Sequence, residues 1–118
     1  MRGVGLIGVL GLISCAHGEA FAGSEVYGFG NMTCAEYVNV KTHNRDLYEA
    51  AKTWTTGYLT AMGQQLAVND LLAGTDMDGA ADWLLHYCEK NPADRFYAAN
   101  YQLVLFLQAR IARSKSGS

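Results

Sequence analysis

The sequence predicts an all-α protein: a small four-helix domain stapled by one disulfide, following a cleaved signal peptide. Three observations carry that expectation. Apolar residues recur every three or four positions over long stretches, and no run alternates with the period of a strand. Proline occurs once in 118 residues, so little interrupts a helix. Two cysteines, an even pair, remain once the start of the chain is set aside as an export leader.

Met1-Arg2 supplies a minimal basic start, and residues 3–14 form an apolar stretch of Gly, Leu, Ile and Val. That stretch is shorter than the about 20 residues a membrane-spanning helix needs, so no integral span is expected. Ala20-Phe21-Ala22 places small residues where a signal peptidase reads them, which predicts residues 1–22 as a signal peptide. Leu12-Ile13-Ser14-Cys15 offers the alternative of a lipoprotein anchored through Cys15. Either route leads out of a bacterial cytoplasm, and the periplasm is the expected location. There Cys34 and Cys88 would be joined. A loop of that length is worth about 4 kcal/mol in the chain-entropy account. Two separate buried thiols are the alternative.

Residues 23–32 contain Gly23, Gly28 and Gly30 and read as an extended N-terminal arm. A single helical domain is expected over 33–113. Thr33 with Glu36 forms a capping box that opens a helix over 34–40; residues 41–44 are polar and turn-like. From 45 to 66 the stripe Leu47, Ala51, Trp54, Tyr58, Met62 and Leu66 predicts a long helix, widened by Tyr48 and Leu59. Asn69-Asp70 and Gly74 punctuate a connection over 67–75. Thr75 with Asp78 reads as a second box-like start, for a helix over 76–89 lined by Met77, Ala80, Ala81, Leu84, Tyr87 and Cys88. Asn91-Pro92 ends that helix and begins the last, over 92–112, because proline suits a first helical position. Phe96, Ala99, Leu103, Phe106, Leu107 and Ile111 line it, and Arg110, Arg113 and Lys115 complement its dipole. Residues 114–118 read as a disordered tail.

Ten acids face eight bases after residue 22, which leaves no electrostatic footprint for nucleic acid. Serine occurs there only at Ser24, Ser114, Ser116 and Ser118, near the ends, where no rigid fold would hold a nucleophile. His43 and His86 are too few for a hydrolytic zinc site, and Asp82 with His86 reads as a surface pair on one helix face. Asp76-Met77-Asp78-Gly79 lacks the third acid and the later glutamate of a calcium loop. No catalytic residue, metal or cofactor is therefore expected, and the chain does not read as an enzyme. The pairs Trp54/Tyr58 and Trp83/Tyr87, each four apart, are core and rim residues of a bundle, or else a partner-binding face together with Phe96, Leu103 and Phe106.

Thr33-Cys34-Ala35-Glu36-Tyr37-Val38, with the second cysteine at Cys88, resembles the HdeA/HdeB family of periplasmic acid-stress chaperones. The resemblance implies a small exported helical protein that loses order in acid and holds unfolding clients. The run from Trp83 to Pro92 is also similar to exported HdeA-like bacterial proteins and to the Rap/Tai immunity proteins of type VI secretion. That second resemblance implies an alternative partner, a single effector enzyme bound and inhibited. A homodimer is compatible with either. Near pH 2 the carboxylates are neutral while eight bases and two histidines are charged, about +10 in all. The helix-start acids Asp76, Asp78 and Asp94 are expected to support the fold only while ionised.

Overall fold

The computed structural model describes residues 25–117. One 3-10 turn (Gly28–Asn31) precedes four helices: α1 (Cys34–His43), α2 (Arg45–Gln65), α3 (Met77–Lys90) and α4 (Phe96–Ser116). The expected signal peptide, Cys15 and the first two residues of the arm lie outside the described residues, as does Ser118.

Thr33 opens α1 with a full capping box: its hydroxyl accepts from Glu36 N, and the Glu36 carboxylate accepts from Thr33 N. The helix does not stop at Val40. Residues 41–43, expected as turn, complete its last turn, where Lys41 and His43 suit the negative end of the dipole. Asn44 then does two things. Its extended backbone ends α1, and its side chain accepts from Leu47 N to cap α2. The two helices meet at that single residue.

In α2 the buried line is Tyr48, Ala51, Thr55, Leu59 and Gly63. Of the expected face Tyr48, Ala51 and Leu59 are buried, while Leu47 and Leu66 stand at the surface and Trp54, Tyr58 and Met62 flank the core instead of forming it. The helix ends in a Schellman motif: Ala67 adopts φ 56, Val68 N donates to Gly63 O and Ala67 N to Gln64 O. Gly63 fits closely there: a Cβ would stand 3.3 Å from Val68 O.

Asp76, not Thr75, caps α3, accepting from Gly79 N at 2.8 Å. Pro92 does not begin α4, which starts four residues later behind Arg95. The reason is tertiary. The carbonyls of Pro92 and Asp94 accept from Ala35 N and Cys34 N, the free donors at the start of α1, and Phe96 N donates to Met32 O. This main-chain clasp, with an isolated bridge between Thr33 and Arg95, holds 91–95 out of the helix. At the other end α4 runs through residues 114–116, past the expected fraying point.

The arm is also not extended throughout. Residues 28–31 wind into the 3-10 turn over Trp54, whose Nε1 donates to Tyr27 O at 2.8 Å. Gly30 is buried, and a Cβ there would collide with the Trp54 indole and Val26. The disulfide joins Cys34 at the start of α1 to Cys88 near the end of α3, with Cα atoms 4.7 Å apart. Around it the core gathers Tyr37, Leu84, Phe96, Leu103, Val104 and Leu107.

Candidate functional site

Two aromatic groups flank the disulfide. In the first, Tyr37 packs on Phe96 (ring centroids 4.5 Å) and on Tyr48 (5.6 Å). Trp54 stacks on Tyr58 at 5.4 Å and touches Phe96 at 5.9 Å. In the second, Trp83 stacks on Tyr87 at 5.6 Å and meets Phe106 at 5.4 Å. The aromatic residues singled out in sequence are thus divided between two places, not spread over one face. Phe96 and Leu103 are wholly buried, Trp54, Tyr58, Trp83 and Tyr87 are half-buried, and Phe106 is 40% exposed. Sequence reasoning missed Tyr37 as the link, although Cys34, Tyr37 and Val40 show the helical spacing of a buried face. It also missed the exposed Tyr97, Tyr101 and Leu105 on α4.

Carboxylates tie the surrounding elements. Glu36 Oε1 accepts from Thr33 N at 2.8 Å and Thr33 Oγ1 at 3.0 Å. The Thr33 backbone donor first, then its hydroxyl and the Arg95 charge, hold the Glu36 carboxyl below its ordinary range. Asp78 accepts from Lys52 Nζ at 2.9 Å, tying α3 to α2, and that hydrogen bond and charge hold Asp78 low. The cause is a lysine from another helix, where a helix dipole was expected. Lys52 also approaches Glu49 at 3.7 Å and lies over the Tyr48 ring beside Lys41. Asp94 is not in a first helical turn. It lies in the clasp and accepts from Tyr87 Oη at 2.6 Å, which pushes the Tyr87 hydroxyl up. Asp76 acts as the α3 cap.

The histidines engage main chain: His86 Nδ1 contacts Asp82 O at 2.9 Å, not the Asp82 carboxylate, and His43 Nδ1 contacts Asn39 O at 3.1 Å. Among the described residues no three His, Cys, Asp or Glu side chains converge to hold a metal. An open apolar groove of about 630 Å³ runs beside the 3-10 turn, lined by Phe29, Met32, Ala35, Val40 and Leu47. Glu36 and Asn39 are its polar lining residues. What the arrangement offers is apolar surface under ties that titrate.

The capped start of α1, the disulfide from it to α3 and the four helices are the features against which the comparisons fall into place. The profile of the HdeA/HdeB family matches residues 6–98, most of the chain and both bridged cysteines. The chain belongs to the HdeA/HdeB family. No curated protein and no solved structure was found to match it. Membership supports a function of the acid-stress chaperone kind, and the HdeA/HdeB family is periplasmic and not enzymatic. None of the described helices is long and apolar enough to cross a membrane.

Proposed function

We propose that this chain is a periplasmic holdase that opens in acid and shields unfolding proteins from aggregation. One observation carries the reading: three carboxylates fasten the fold around a core whose staple is covalent. Glu36 secures the start of α1, Asp78 links α3 to α2, and Asp94 steadies the turn before α4. Glu36 and Asp78 have lowered native values, so folding favours their ionised forms. Their contribution is complete above the ordinary carboxylate range, about pH 4, and is lost as pH falls through the lowered native values. Charge then accumulates toward about +10 and repels itself. Cys34–Cys88 does not titrate and keeps α1 on α3.

Opening in this way frees Phe96 and Leu103 from the core and uncovers more of Trp54, Tyr58, Trp83, Tyr87 and Phe106 for clients. Residues 1–22 act in this reading as the export signal, with a mature start at Gly23. The test uses the oxidised protein from pH 7 to pH 2. Near-UV circular dichroism collapses between about pH 4 and pH 2 while dye binding rises and helicity partly survives. Aggregation of an acid-unfolded client is suppressed over the same interval. A protein that stays natively packed at pH 2, or opens without protecting the client, is not this kind of chaperone.

A further inference from the structure

The core contains two polar side chains that its packing does not satisfy. Thr55 on α2 and Asn100 on α4 are both wholly buried. Thr55 Oγ1 and Asn100 Oδ1 have no hydrogen-bond partner among the described residues. A helical threonine ordinarily bonds its hydroxyl back to the preceding turn, as Thr53 and Thr56 do here. Thr55 follows Trp54 on α2. Asn100 lies one turn beyond Phe96 on α4, its Nδ2 donating to Phe96 O at 2.9 Å while its Oδ1 has no partner among the described residues. Trp54 and Phe96 meet between the two helices. Buried and unbonded, each of the two oxygens weakens the packing there.

Three other junctions are fastened differently, while α3 meets α4 through apolar contacts such as Trp83 on Phe106. α1 is bonded covalently to α3, the clasp joins the starts of α1 and α4 through main chain, and Lys52–Asp78 joins α2 to α3. Between α2 and residues 96–109 of α4 there is no hydrogen bond or ion pair among the described residues. Neither side carries charge: residues 53–69 and 96–109 contain no Asp, Glu, Lys, Arg or His. Lys52 and Glu49 flank this region from α2, Asp78 from α3, Arg95 and Arg110 from either end of the α4 segment. Its own titratable groups are tyrosines, neutral throughout the acid range.

The geometry points to the α2–α4 seam as the plane along which the bundle opens, and to its two uncharged faces as the surface that takes the client. This deepens the chaperone reading and rests on it for the client. In acid an unfolding protein is itself cationic, so a binding surface bearing lysine or arginine would repel it. Here the cations lie outside the seam, and the buried side chains of its two segments, apart from Thr55 and Asn100, are apolar, Leu59, Phe96, Leu103 and Val104 among them. The fitting partner is an extended apolar segment of a positively charged chain.

The test is hydrogen exchange by mass spectrometry on the oxidised protein, at neutral pH in mild denaturant and again across the acid transition. Amides of residues 53–63 and 96–107 should exchange before those of α1 and α3. Thr55→Val replaces the unbonded hydroxyl with a methyl of equal shape and should slow that exchange about five-fold. It should also move the acid transition to lower pH, with less protection of acid-unfolded lactate dehydrogenase at the wild-type midpoint. Asn100→Leu should act in the same direction, and Thr56→Val, whose hydroxyl is bonded and exposed, should not. Earlier exchange in α1 or α3, or a Thr55→Val protein that behaves as Thr56→Val does, overturns the seam. A seam that opens in denaturant without any protection of the client in acid overturns the chaperone reading and leaves the seam standing.

Discussion

Glu36 Oε1 accepts from both the amide and the hydroxyl of Thr33, with Arg95 near enough to add its charge. Glu36→Gln keeps the shape and an acceptor but removes the ionisation. At pH 7 the variant should melt about 2 to 4 °C below wild type, the size of a weakened cap in a domain of this length. The gap should close as pH falls, because wild type loses the same support once its own carboxyl is protonated. Paired melts at pH 7, 4 and 2 check this, and a gap that widens in acid gives the wrong sign. The spacing Thr33-x-x-Glu36 announces the cap in the sequence. Its long-range partners do not show there: Arg95 reaches Glu36 only through the clasp, and Asp94 finds Tyr87 only because the chain turns between them. Asp78 is legible as a first-turn acid, yet Lys52, which holds its carboxyl low, lies 26 residues away on another helix.

At the scale of elements, the 3-10 turn is the least guessable piece. Three glycines within 23–32 suggest a loose arm, whereas Gly30 is there because the Trp54 indole leaves no room for a Cβ. Gly30→Ala should cost about 1 to 3 kcal/mol, the usual range for overpacking. Proton exchange at the Trp54 indole N–H should speed up as its bond to Tyr27 O loosens. Thermal denaturation and the indole cross-peak in nitrogen-edited NMR spectra measure the two effects. The helices themselves were legible, since α2 and α3 fall within a residue of their expected bounds. Their inner faces were less so. In α2 a stripe through Leu47, Trp54 and Tyr58 and one through Tyr48, Thr55 and Leu59 both have helical period, and hydrophobicity favours the wrong one. Thr55 and Gly63 are buried by close packing, which a hydrophobic count does not register. Pro92 misled for a similar reason: its preference for a first helical turn is local, and the carbonyls of the clasp outweigh it.

The whole molecule depends on a crosslink spanning 54 residues. In the chain-entropy account a loop of this size contributes about 4 kcal/mol, a large share of the stability of so small a domain. Reduction at pH 7 should lower the melting temperature by well over 10 °C. At pH 2 the reduced chain should expand by small-angle scattering while the oxidised one stays compact; equal dimensions would deny the staple its role in acid. The clasp between residues 32–35 and 92–96 has a different kind of consequence. It is made of peptide groups, which every substitution other than proline leaves in place. Exposed side chains around it, Ala35 and Ala93 among them, are free to drift without unfastening α1 from the start of α4, whereas Cys34 and Phe96 are held by the staple and the core. Lineages can therefore diverge at the exposed positions of this corner and still inherit the same junction, because what is inherited there is backbone.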